Sequence, residues 1–138
     1  MRRKTVSRAR EERGAVLIAG LLLALSLLMV IGAAVDLGQA FIVRRDLVSL
    51  ADEAALAGSQ ELDLEARHAG RLALEPEQAR AAALTALAGE PTVRAQASAT
   101  EQTVAVRVER RFPTVLLRLV GLRTLTVAAR ATAEPREP

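Results

Sequence analysis

The chain has no cysteine, tryptophan or tyrosine, only two phenylalanines and a single histidine in 138 residues. Without cysteine there is no disulfide framework, no thiolate nucleophile, no Cys-ligated zinc and no iron–sulfur cluster. With His68 alone, a His-rich metal site is excluded as well. The shortage of aromatics argues against sites built on ring stacking. There is also no G-x-S-x-G, P-loop or H-E-x-x-H pattern, so the sequence carries no catalytic constellation and implies neither an enzyme, a cofactor nor a small-molecule substrate. His68 falls in a charged stretch, where a solvated surface residue is the expectation.

What is present is hydrophobic and unevenly charged. Hydrophobic residues make up 51% of the chain and charged residues 25%, with a net charge of +3. The positive excess is confined to the start, because residues 1–13 hold six basic side chains against Glu11 and Glu12, whereas the remainder holds 13 basic against 14 acidic groups. A short basic arm beside a neutral body is a poor phosphate-tracking surface, so no nucleic-acid partner is expected.

Directly after the arm, Ala15 to Val35 runs without a charge, and Ser26 is its one polar side chain. As a helix this run measures roughly 31 Å, close to the ~30 Å hydrocarbon thickness of a bilayer. The six basic groups before it, against Arg44 and Arg45 shortly after it, orient the N-terminus to the cytoplasm and the rest of the chain outside. The competing reading is a cleaved secretory signal ending near Gly32-Ala33-Ala34. The run is longer than a usual signal core, and its helical pattern continues past that point.

From Asp36 to about Ala57 there is no proline, and Leu37, Phe41, Val48, Ala51 and Ala55 recur at helical spacing. The span and this stalk are expected to form one long rod, which Gly38 weakens by about 1 kcal/mol without breaking it.

Glu12-Arg13-Gly14, the apolar span, Val35-Asp36-Leu37-Gly38, Arg44-Arg45-Asp46-Leu47 and Leu50-Ala51-Asp52-Glu53-Ala54-Ala55-Leu56-Ala57 follow one another in an order that resembles the N-terminal region of the TadE/TadG-like proteins. That family belongs to the tight-adherence, or Flp-type, pilus assembly machinery of bacteria. The resemblance implies a non-catalytic, pseudopilin-like component of a pilus or secretion apparatus in the bacterial cytoplasmic membrane, with lipid, other apparatus components and a second copy as partners. Gly14 would be the site of prepilin cleavage, but the fifth residue after it is Ala19 rather than a glutamate, so an unprocessed N-terminus is expected. The alternative is a secreted or anchored regulatory domain whose apolar segment is only a targeting signal.

The candidate assembly interface comprises Asp36, Phe41, Arg44, Arg45, Val48 and Asp52. Asp36 is either the water-facing end of the span or a recognition group. Arg44 and Arg45 pair with lipid phosphates or with a neighbour's carboxylate. Asp52, with Glu53, is a solvated helix face or a pairing group.

Beyond the stalk, Ser59 to Glu75 reads as a connector or frayed helix. A helix opened by Pro76 runs through Ala79 to Ala88 and ends at Gly89. The period then changes to two. Val93, Ala95, Ala97 and Ala99 alternate with polar residues, and so do Val104, Val106 and Val108 after a turn near Thr100-Glu101-Gln102. Arg110-Arg111-Phe112-Pro113 breaks that pattern. A short amphipathic helix from Val115 to Val120 stops at Gly121, and a last strand spans Arg123 to Ala133. The expected organisation is α+β: a basic arm (1–13), a transmembrane helix (14–35), stalk and connector (36–75), a small outer domain of about three antiparallel strands with one or two helices (76–134), and a tail (135–138).

Overall fold

The computed structural model describes residues 3–136, with side chains from Arg13 onward; the side chains of the basic arm, Glu11 and Glu12 included, lie outside the described residues, as does the end of the tail. The chain forms α1 (Arg3–Ser59), α2 (Leu64–His68), α3 (Pro76–Ala86), β1 (Val93–Ala99), β2 (Val104–Pro113) and β3 (Thr124–Ala133), with a one-turn 3-10 helix at Leu117–Val120. The fold is α+β, and the expected rod is real. α1 runs unbroken through span and stalk for 57 residues, about 85 Å at 1.5 Å per residue. Gly38 has no heavy atom within 4 Å of a would-be Cβ and interrupts nothing.

The lower half of the rod is bare. Large apolar side chains from Val16 to Ile31 are exposed apart from the half-buried Met29, and the hydroxyl of Ser26 donates to the Leu22 carbonyl one turn back at 2.8 Å. Ser26, the one polar side chain between Ala15 and Val35, is thus satisfied within its own helix.

The upper half is the centre of a core. The three strands pair antiparallel in the order β1-β2-β3, with Val106 opposite Ala97 on one side and Ala131 on the other. Val104, Val106, Val108, Ala129 and Ala131 are buried on one face, and α1 and α3 cover that face with Leu47, Ala51, Ala54, Ala55, Ala79 and Ala83. The opposite face carries Arg94, Arg107 and Arg130, all exposed. Alternation along the strands therefore places one apolar side against two helices and one charged side in water.

Small residues set the spacing of these layers. A Cβ on Gly58 would lie 2.7 Å from the Ala79 carbonyl oxygen and 3.0 Å from Val104 Cγ1, so α1, α3 and β2 meet at a point where no side chain fits. The 26 residues of α1 between Gly32 and Gly58 span about 39 Å, and twelve residues of extended chain from Val104 to Leu116 span about 40 Å. The matching lengths let β2 and the segment after it run back down α1 and return to the top of the apolar run.

One expectation gains detail and one is corrected. The connector after Ser59 is built around the short helix α2. Asp63 caps α2 by accepting from the amides of Glu65 and Ala66 at 2.8 and 3.2 Å, and Leu62 bridges Leu74. The Leu74 amide further donates to Glu101 at 2.8 Å, which ties this loop to the β1–β2 turn. Second, Arg110 to Pro113 does not interrupt the sheet. β2 continues through it because β3 supplies partners, Phe112 facing Leu125 and Pro113 facing Thr124. The proline is tolerated at the strand end, where no ladder amide is needed.

Gly58→Val in the detergent-solubilised protein is expected to lower stability by about 1–3 kcal/mol, since backbone rather than a flexible side chain must move. Gly38→Ala, in open space, is expected to raise it by up to about 1 kcal/mol. Thermal unfolding followed by circular dichroism measures both.

Candidate functional site

The six candidate residues divide between two faces of α1. At 100° per residue, Phe41, Arg45, Val48 and Asp52 fall within about 40° of one line, and Arg44 lies at its edge. Leu47, Ala51 and Ala54 lie on a different line, roughly 120° away, and Asp36 belongs with them. The sheet, α3 and the segment between β2 and β3 cover that second line. Ala51 and Ala55 of the expected apolar stripe are buried, together with Leu47, whereas Leu37, Phe41 and Val48 stay exposed, Phe41 at 71%.

Phe41 and Arg44 line one groove, of about 280 Å³, with Leu37, Ala40, Thr126, Val127 and Ala128. Its second wall is β3, an edge strand of the sheet. Asp52 lines a separate groove higher on the rod with Leu56, Ser59, Thr132 and the returning tail, where the Arg136 amide donates to the Ser59 carbonyl at 3.1 Å. Arg44, Arg45 and Asp52 are exposed, and none of the three has an ion-pair partner among the described residues. His68 is exposed on α2. No three His, Asp or Glu side chains are gathered in metal-binding geometry among the described residues.

Asp36 is placed differently from either expectation of it as a water-facing end or a free recognition group, because it is fully buried against its own chain. Its carboxylate accepts three amides, Oδ1 from Val115 at 2.7 Å and Oδ2 from Leu116 at 2.9 Å and Leu117 at 2.7 Å. These are the orphan donors that open the 3-10 helix at Leu117. Donation from Leu117 and Val115 foremost, then Leu116 and the nearby Arg118 cation, holds the carboxyl below its ordinary value against the opposing pull of burial. A depressed folded value means that the ionised latch stabilises the fold at neutral pH, and that this contribution is lost as pH falls through the lowered value.

One turn below, Gly32 gives the latch room. A Cβ there would stand 2.6 Å from Leu116 Cβ, so the loop can rest on the helix only where the side chain is missing. At the loop's other end Gly121 takes a φ of 93°, the left-handed turn that closes a helix C-terminus. At its neck the Thr114 hydroxyl donates to the Leu122 carbonyl, and the Thr114 amide donates to Arg123 at 3.1 Å. The segment between β2 and β3 is thus pinned at both ends and in the middle. Sequence reasoning singled out Asp36 but missed these partners, which lie some 80 positions away. The available signal was an acidic residue on the helix line that carries Leu47 and Ala54 rather than on the polar one.

Asp36→Ala is expected to speed hydrogen exchange at the Val115, Leu116 and Leu117 amides by roughly tenfold or more, with Asp36→Asn in between because it keeps one acceptor. Gly32→Val should release the same amides without touching the carboxylate. Exchange measured by mass spectrometry on the solubilised protein reads both.

Among known proteins, residues 14–68 match the family model described as "Putative Flp pilus-assembly TadE/G-like". The match covers less than half of the chain, and takes in the whole uncharged run from Ala15 to Val35, the rest of α1 and α2. No curated protein and no solved structure matches.

Proposed function

With residues 14–68 TadE/G-like and, among the described residues, one helix long and apolar enough to cross a membrane, we propose that the protein is a single-pass, non-catalytic component of a Flp-type pilus assembly or related secretion apparatus, pseudopilin-like, with its N-terminus in the cytoplasm. The observation that carries this reading is the exposed line of Leu37, Phe41 and Val48 on α1. It continues upward from the span and borders the groove against β3. An apolar line beside a groove, on a rod that is otherwise packed on its other side, suits a neighbouring helix better than water.

In this reading the charges beside the line set the register of assembly. Arg44 stands nine residues beyond Val35, about 13 Å up the helix and past the headgroup layer of roughly 5–8 Å. That height favours a neighbour's carboxylate over lipid phosphate as the partner of Arg44 and Arg45, and Asp52 offers such a carboxylate on a second copy. Within the bilayer, Ala15, Ala19, Gly20 and Ala24 present a small-residue surface to an adjacent helix. The surrounding lipid and other apparatus components complete the set of partners.

Phe41→Ala is expected to change the protein's own stability by less than about 0.5 kcal/mol, since the ring is exposed, yet to reduce pilus or secretion assembly in cells. Photocrosslinking from positions 41, 48 and 52 in native membranes should capture apparatus components or a second copy. No crosslink, together with normal assembly in Phe41→Ala and Asp52→Lys cells, overturns the reading. The membrane-extracted chain should have its full unprocessed mass; a start at Ala15 or Val35 would instead indicate prepilin cleavage or a secretory signal.

A further inference from the structure

The segment between β2 and β3 has an unusual surface for a loop that faces water. Leu119 is 68% exposed, Val120 56%, Leu122 52% and Val115 47%. Around them stand Arg111, Arg118 and Arg123, and residues 111–123 include no acidic side chain. Four bare aliphatic side chains on a rigidly held ten-residue segment form an apolar patch with a cationic border.

Its height along α1 identifies what covers it. Leu116 rests on Gly32, which lies three residues before the end of the uncharged run at Val35, about 4.5 Å inside that end. Asp36, the first charged residue beyond the run, holds the amides of Val115, Leu116 and Leu117. The loop is therefore fixed at the level where the span leaves hydrocarbon. We propose that the β2–β3 loop is a second membrane contact, dipping Leu119, Val120 and Leu122 into the outer leaflet while its arginines meet lipid phosphates. This rests on reading α1 as a membrane span. The occupant is lipid because the patch is continuous with the span's own apolar surface, and because its charge is uniformly positive, which matches anionic headgroups. Arginines at such a boundary place their stems along apolar surface and their heads among phosphates. The chain has no tryptophan or tyrosine to mark the interface, and the loop does that work with aliphatic residues instead. The consequence is orientation: a helix anchored at one point is free to rotate about its axis, whereas a second contact on the Asp36 side presents the Phe41 line in a fixed direction along the membrane plane.

The absence of cysteine makes the test direct. Leu119→Cys, Leu25→Cys and Ser98→Cys each carry one environment-sensitive fluorophore on the full chain, reconstituted in phosphatidylcholine–phosphatidylglycerol vesicles with nitroxide groups at both shallow and deep positions of the lipid acyl chains. Ser98 sits at the end of the sheet farthest from the loop, paired with Ala105. The expected result is loss of fluorescence at Leu25 and Leu119 and none at Ser98, with a blue-shifted emission at Leu119 that returns to the aqueous value in Asp36→Ala. Quenching at Leu25 with none at Leu119 overturns the loop contact and leaves the span intact. No quenching at Leu25 overturns the span reading and the loop contact with it. In the unlabelled Leu119→Cys chain, a disulfide dimer formed in vesicles on exposure to a mild oxidant, together with no lipid quenching of the labelled chain, assigns the patch to a second copy and overturns the proposal. Unlabelled variants with unchanged thermal unfolding establish that the substitutions leave the fold in place.

Discussion

The folded part beyond the apolar run depends on one constraint, that its sheet has no complete cover except the helix that also forms the apolar rod. Three strands bury Val104, Val106 and Val108 on one face, and α3 is too short, at 11 residues, to shield that face alone. α1 supplies the rest through Leu47, Ala51, Ala54 and Ala55. These are mostly alanines, so each contributes little apolar area, and the stability comes from close approach of backbones rather than from large side chains. Gly58 is the extreme of that design. A core made this way is rigidly coupled to the helix, because sliding α1 by even one residue would replace alanines with larger or charged neighbours.

That coupling gives the Asp36 latch its meaning. A buried carboxylate is costly unless its charge is compensated, and here three amides from a distant loop compensate it. The same three amides need an acceptor, since a short helix start leaves them without one. Each solves the other's problem at the boundary between apolar rod and folded domain. The loop, the sheet and the rod are thus joined at both ends of the length from Gly32 to Ser59, by the Asp36 latch below and by the close approach at Gly58 above.

The two faces of α1 share the work. One line carries the core, and another, about 120° around the helix, carries Leu37, Phe41 and Val48 in the open. A helix inside a single-domain protein usually shows one apolar stripe. Two stripes on one rod are the basis of the proposed division, in which the protein folds with one and assembles with the other.

The continuous rod with its apolar run, the β-hairpin and the final strand were legible in the sequence because each rests on local physics: an uncharged run, helical spacing without proline, and strict two-residue alternation. The family resemblance was legible for the same reason, being carried by short motifs in order. Tertiary structure decided what local rules cannot reach. Spacing alone merged Phe41 and Val48 with Ala51 and Ala55 into a single stripe, since they are close on the helix surface, and only the packing of the sheet showed which were covered. The strand through Arg110 to Pro113 looked broken because its partner, β3, lies after a loop. Above all, the fate of Asp36 depended on three backbone amides some 80 residues away, and a backbone amide leaves no mark in a sequence.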